Sequence, residues 1–380
     1  MKIIKRILLG LLLIMVVANL VILVTGNSYL YKTLIYQQVG IDDFEIFHNR
    51  TIEAGTPTGI LNGTYKIELP DSFRKFMIET EVTALLVLQN DSIVYEEYWD
   101  GYGPDTVSGS FSVAKTIVSI MIGIAIDEGK IKSVDQKVCD FLPEFSDGMN
   151  AKLTIKHLLT MSAGFNWNES YASLFSPTTK AYYGNDLRDM VENLDVVVEP
   201  GTFHEYQSIS QVVLAIILEK VTGKSLSEYT SEKLWKPLGA THDALWSLDH
   251  EDGLEKAYCC FNSNARDFSR IGSLFLHKGE LNGKRIVSEE YVKSSVQPCM
   301  IPDETGNPCD YYGYSWWVSK VDGHVFFYAR GILGQYVIVV PDFNLVIVRL
   351  GRIRPDYGDT QAADYIVSNI LKTLKSNEKN

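Results

Sequence analysis

The chain opens with a sharp division between charge and apolarity. Lys2, Lys5 and Arg6 precede a nearly unbroken apolar run from Ile7 to Val24, in which Asn19 is the one strongly polar interruption. At about 1.5 Å per residue the run predicts roughly 27 Å of helix, just short of the ~30 Å hydrocarbon core of a bilayer. It exceeds the apolar region of a cleavable signal peptide, about 7–15 residues, although Val24-Thr25-Gly26 offers residues small enough to be cut. Residues 1–26 therefore read as a basic flank and an uncleaved transmembrane signal-anchor. The basic flank is expected to stay in the cytoplasm, which makes everything after residue 26 extracytoplasmic, in a periplasm or at a cell surface.

Residues 27–64 are mixed, polar and aromatic, and read as a stalk that packs onto the body rather than a separate domain. Ala84–Leu88 and Ile93–Tyr98 are β-rich runs flanking Asn90-Asp91, a pair that tolerates positive φ, and they predict a hairpin. Val113–Ile126 is apolar on nearly every face, the pattern of a helix at the centre of a protein. Helical spacing recurs at Leu153–Met161, Ile209–Val221 and Leu226–Leu234, with Gly223 a natural stop after the second. Strand patterns return at Tyr314–Ser319, His324–Ala329, Tyr336–Val340 and Leu345–Leu350, before an amphipathic helix near Thr360–Leu374. Strands, helices, strands and a final helix predict an α+β fold across residues 65–377.

Composition narrows the partners. Hydrophobic residues at 46% and charged residues at 22% exclude disorder and fibrous classes. A net charge of −12 leaves no basic field for phosphate backbones, so nucleic acid is excluded as a partner. Cys139, Cys259, Cys260, Cys299 and Cys309 form no C-x-x-C pair and stand at no zinc spacing with histidine, so the sequence indicates no metal site. Cys299 and Cys309 could close a loop in an oxidising compartment; free buried thiols are the commoner outcome.

Several chemistries fail on spacing. G-x-S-x-G is absent, since Thr160 precedes Met161-Ser162-Ala163-Gly164; His204-Glu205 meets Ser208 where a second zinc-binding histidine would stand; and Leu218 occupies the first glycine position of a P-loop ending in Gly223-Lys224-Ser225. What remains is Ser112-Val113-Ala114-Lys115, an S-x-x-K motif at the start of the all-apolar helix. Spacing of i to i+3 puts hydroxyl and amine on one face, where the amine can take the proton that keeps a serine from attacking. The helix N-terminus also favours developing negative charge.

Ser112 to Lys115 in a buried helix, Leu158-Leu159-Thr160-Met161-Ser162-Ala163-Gly164, and Pro200-Gly201-Thr202-Phe203-His204-Glu205-Tyr206 together resemble the serine β-lactamase and penicillin-binding-protein superfamily, class C branch, from about residue 65 to 375. Within that branch the chain is most similar to 6-aminohexanoate-dimer hydrolase-like enzymes, through Phe111–Thr116, Ala329–Gln335 and Val346–Gly351. The resemblance implies a β-lactamase/transpeptidase-like fold: an antiparallel sheet flanked by helices, joined to an all-helical lobe, with the active site between them. It implies an acyl-enzyme on Ser112, proton movement by Lys115 with Tyr206, and an oxyanion hole from the N–H groups of Ser112 and Ile332. Which of Lys115 and Tyr206 starts as base is a coupled question and stays open. The substrate would be a small amide, ester or peptide, and no metal or cofactor is required.

The chain departs from the family twice. Tyr-x-Asn of the second motif is Tyr206-Gln207-Ser208, and Lys-Thr-Gly of the third is replaced by Ala329-Arg330-Gly331. Both weaken a penicillinase reading, although Arg330 could still attract a carboxylate. Gly331 would let backbone approach the site, and Asn262 and Gln335 are further candidates for substrate contact. The long stretch from Phe165 to Glu199, with Tyr171, Tyr182 and Tyr183, is expected to form a lid that sets substrate choice. His157 and His204 are expected to be structural or solvent-facing. The rivals to an amide hydrolase are a carboxylesterase, a D-stereospecific peptidase on cell-wall fragments, and a catalytically silent ligand-binding relative.

Overall fold

The computed structural model describes residues 2–58, 61–63, 66–354 and 359–377. Its main element is a seven-stranded sheet in the order Trp317–Val321, His324–Gly331, Gln335–Val340, Leu345–Gly351, Val82–Gln89, Ser92–Tyr98, Leu61–Asn62. The sheet is antiparallel, as expected, at every adjacent pair but the last, where the two-residue edge strand Leu61–Asn62 runs parallel to Ser92–Tyr98. The expected hairpin is present, and Asn90 and Asp91 take φ of 49° and 61° at its turn. The strand expected from Tyr314 begins at Trp317 instead. Ser315 has φ 59° and its amide bonds to Leu159 O, which ties the preceding residues to the helical lobe rather than to the sheet.

A second sheet, Asn49–Ile52, Ala244–Ser247, Phe261–Ser263 and Ser108–Gly109, was not foreseen, because its strands are only two to four residues long and carry no period to read. It absorbs part of the stalk: Asn49–Ile52 pairs antiparallel with Ala244–Ser247. Further ties are Tyr182 OH donating to Asp43 Oδ2 at 2.7 Å and Arg352 donating to Asp42 Oδ2 at 2.8 Å.

The helix Val113–Asp127 is buried from Val113 to Ala125, as its all-round apolar sequence requires. It lies between the large sheet and the helical lobe, where Ile209–Thr222 packs on it and ends at Gly223 in the left-handed conformation. The C-terminal helix Asp359–Asn377 covers the other face of the sheet through Ile366, Val367 and Ile370. At the opposite end of the chain, Lys2–Val24 is long and apolar enough to cross a membrane, and none of its residues is buried.

Candidate active site

Ser112 sits at the N-cap of the central helix, and its hydroxyl makes no capping bond. The oxygen is instead partnered by Lys115, whose Nζ lies 2.8 Å from Ser112 Oγ and also donates to Tyr258 O at 2.7 Å. Lys115 is 1% exposed, so these two oxygens and the flanking rings make up its immediate surroundings. Nζ stands 5.0 Å from the Tyr206 ring centroid and 5.7 Å from that of Tyr258. Sequence reasoning missed the Tyr258 carbonyl, since a backbone acceptor 143 positions away carries no side-chain signal. Phe111, just before the serine, has φ 46°, the kind of backbone strain that clusters at functional sites.

Tyr206 is half-buried, held by Trp317 at 5.8 Å and Tyr312 at 6.1 Å between ring centroids. The segment before it is pinned by His204, whose Nδ1 lies 3.0 Å from Thr160 O. The segment after it is pinned by Gln207, whose amide bridges Phe165 N and Phe165 O at 3.1 and 2.9 Å. Ser208, at the family's asparagine position, is taken by Glu169, which accepts from both its amide (2.9 Å) and its hydroxyl (2.5 Å). Glu169 is a second residue the sequence did not point to.

Gly331 ends the strand His324–Gly331 against the turn that leads into Ser112: a Cβ there would stand 2.1 Å from Ser110 O. Ile332 and Leu333 follow, and both line a cavity of about 380 Å³ together with Ser112, Tyr258 and Ser208. Gln335 does not. It is fully buried, its Nε2 donating to Ile332 O (3.2 Å) and Gly351 O (2.6 Å) while its Oε1 accepts from Gly351 N (3.1 Å). Its amide is consumed in bracing the Ile332 turn, which leaves no group for the substrate contact expected of it. Asn262 departs from expectation in the same way, donating to Leu245 O, Ser247 Oγ and Cys260 O inside the small sheet. Arg330 does not line the cavity either; its guanidinium carbon lies 3.6 Å from the Trp317 ring centroid.

Of the expected lid, Tyr182 and Tyr183 are buried in the helix Pro177–Tyr183, whereas Tyr171, Leu174 and Phe175 are exposed; all but Phe175 line the cavity. No Asp, Glu, Lys, Arg or His lines it among the described residues. A wider cleft of about 520 Å³ opens around Asp91, Arg270 and His277, but it shares no lining residue with the Ser112 cavity.

Cys299 and Cys309 are free, the commoner of the two outcomes expected, and so is Cys139; the bond joining adjacent Cys259 and Cys260 was not expected. His204, Cys299 and Cys309 bring their ligand atoms within 4.8 Å of one another, a grouping of N and S donors that motif spacing did not reveal because the fold, not the local sequence, assembles it.

A serine at the head of a buried helix, a lysine one turn on with its amine 2.8 Å from the serine hydroxyl, and a tyrosine ring 5.0 Å from that amine, though outside the lining of the Ser112 cavity, are the arrangement of a serine hydrolase of the β-lactamase and penicillin-binding-protein superfamily. The chain belongs to the Beta-lactamase family, whose model matches residues 71–371. It is 30% identical over 299 residues to the 6-aminohexanoate-dimer hydrolase of Paenarthrobacter ureafaciens, covering 74% of this chain and 75% of that one. Among solved structures it is similar to a Bacillus anthracis protein provisionally named a 6-aminohexanoate-dimer hydrolase (TM-score 0.76, 21% identity, 89% of this chain and 93% of that one). A family VIII carboxylesterase matches with a TM-score of 0.62 at 19% identity, over 74% of this chain and 90% of that one. At these identities the two structures speak for the fold.

Proposed function

We propose that the protein is a membrane-anchored, extracytoplasmic hydrolase that cleaves an amide bond, or an ester of similar shape, through an acyl-enzyme on Ser112. The observation that carries this reading is the 2.8 Å contact of a buried Lys115 with a serine hydroxyl left free of capping. Ser112 Oγ attacks the carbonyl carbon while the Lys115–Tyr206 pair takes its proton. Negative charge on the carbonyl oxygen is met by the N–H groups of Ser112 and Ile332. The C–N bond then breaks as the pair returns the proton to the leaving nitrogen, and water repeats the sequence on the acyl-enzyme to release the acid. The 30% identity to an enzyme named for hydrolysis of a linear amide supports amide substrates.

For location, the exposed apolar helix Lys2–Val24 with its basic N-terminal flank supports a cytoplasm-in anchor.

Intact-mass spectrometry of the full chain in detergent, after exposure to a fluorophosphonate, tests the nucleophile. One adduct is expected on the wild type and none on Ser112→Ala, with Lys115→Ala labelled at least a hundredfold more slowly. A folded wild type that takes no adduct sinks the assignment and favours a silent binding protein.

A further inference from the structure

The wall of the Ser112 cavity is built partly by the segment that leaves the membrane-length helix. Thr33, Gln37, Gln38 and Val39 line the cavity, and Thr33 is nine residues from Val24. The intervening chain is folded rather than extended: Thr25 N bonds to Val21 O, Asn27 N to Ile22 O and Leu30 N to Asn27 O, and the helix Tyr29–Tyr36 follows at once. Even at full extension such a connection spans no more than about 32 Å. Two contacts then draw the second helix back against the first. Tyr31 OH donates to Asn19 Oδ1 at 2.7 Å, and Ile22 packs on the core of the body. Asn19 lies inside the apolar run, so the Tyr31 hydroxyl bonds at a level five residues before that run ends. With Lys2–Val24 in a bilayer, as proposed above, this covalent connection and the side-chain bond keep the Ser112 cavity close to the membrane surface.

The residues at this end are apolar and exposed on both sides of the cavity. Leu34 and Ile35, next to cavity-lining Thr33, are 58% and 70% exposed, and Phe175, next to cavity-lining Leu174, is 75% exposed. Tyr36 stacks on Tyr183 at 6.3 Å, joining the two sides. Apolar exposure on both flanks of the cavity marks an interaction surface, and the place of Leu34 and Ile35 within eleven residues of the apolar helix Lys2–Val24 points to lipid as the partner. An uncharged cavity opening beside such a surface suits a hydrocarbon chain.

We propose that the substrate is an amphiphile resident in the bilayer, an amide or ester whose hydrocarbon chain reaches Ser112 from the membrane side, past Leu34, Ile35 and Phe175. This rests on the reading of Ser112 as nucleophile and adds the class of molecule it acts on.

The test uses the full chain reconstituted in phosphatidylcholine vesicles and compares Ser112 labelling by ethyl and hexadecyl fluorophosphonates in the wild type and in a Leu34→Asp/Ile35→Asp variant. Wild type is expected to take the hexadecyl probe at least a hundredfold faster. Because partition into the vesicle favours the long probe for any enzyme, the variant decides: its loss on the hexadecyl probe should exceed its loss on the ethyl probe at least tenfold. Equal losses on both probes, or equal rates for both probes on the wild type, overturn the lipid substrate and leave Ser112 as nucleophile. Failure of both probes to label the folded wild type overturns the nucleophile reading, and this inference with it.

Discussion

At the scale of single residues the site separates what acts from what holds. Tyr206 contributes a phenol above Lys115 and a ring packed on Trp317 and Tyr312. Tyr206→Phe keeps the ring and removes the phenolic oxygen that the proposed mechanism uses to carry the proton, so labelling and turnover should fall by roughly 10²–10⁴ while the melting temperature stays near that of the wild type. A rate within threefold of wild type would take Tyr206 out of the proton path. Ser112, Lys115 and Tyr206 could be picked out from sequence because each lies in a short motif whose spacing has a mechanical meaning. Asn262 and Gln335 were picked by type alone, as amides near motif positions, and type does not say where an amide points. The structure gives each at least two backbone partners, and a buried amide that spends its hydrogen bonds on the backbone is a brace. Glu169 illustrates the converse: a carboxylate in a polar loop looks solvated until the fold brings Ser208 to it.

Among the elements, the long periodic ones were legible and the short ones were not. The central helix and the strands after His324 carry enough apolar residues to define their partners, and their observed bounds lie within one or two residues of the patterns. The four-stranded sheet, with strands as short as Ser108–Gly109, takes its conformation from its neighbours and leaves no signature. The junction that the proposed mechanism depends on is that of the strand ending at Gly331 with the turn Ser110–Phe111. Here backbone meets backbone, so nothing flexible can yield to an added methyl. Gly331→Ala should push the strand end and the Ile332 turn away from Ser112. Ser112 labelling should slow at least a hundredfold, with a stability loss of about 1–3 kcal/mol in chemical denaturation. Wild-type labelling by this variant would show that the Ile332 turn plays no part in stabilising the reacting carbonyl. The turn is also gripped from behind: Arg349 donates to Gly334 O, and Gln335 donates to Ile332 O. Burying an arginine within the strand Leu345–Gly351 makes sense only with such carbonyl partners, and Thr80 O at 3.0 Å is another.

For the molecule as a whole, the second buried lysine gives stability an alkaline pH dependence. Lys256 is fully buried where the stalk, the second sheet and the cavity-lining helix meet: its Nζ donates to Ala181 O at 3.0 Å and lies 5.0 Å from the Phe47 ring centroid. Burial, the largest cause, lowers its pKa from 10.5 to about 7, and Asp249 opposes the shift without cancelling it. In the unfolded chain the amine keeps its proton up to about pH 10.5, whereas the folded protein releases it near pH 7. Between those values the unfolded state binds the extra proton, so unfolding free energy should rise with pH, by up to about 1.4 kcal/mol per unit from this group alone. Below pH 7 both states are protonated, and the contribution is flat at its least favourable level. Lys256→Met fills similar volume without a titratable group, at the expense of the bond to Ala181 O. Its unfolding free energy should therefore lack the alkaline rise, and the difference between wild type and variant should grow in favour of wild type from pH 7 to pH 10. Denaturant titrations of both full-length proteins in the same detergent at pH 6.5, 8 and 9.5 measure that difference directly, and because every other titrating group is shared, it isolates Lys256. Parallel curves would mean that the amine stays protonated inside the fold. A protonated Lys256 would place a fixed positive charge beside the stalk, too deeply buried for salt to screen, so the pH series rather than a salt series separates it from a neutral amine holding Ala181 O.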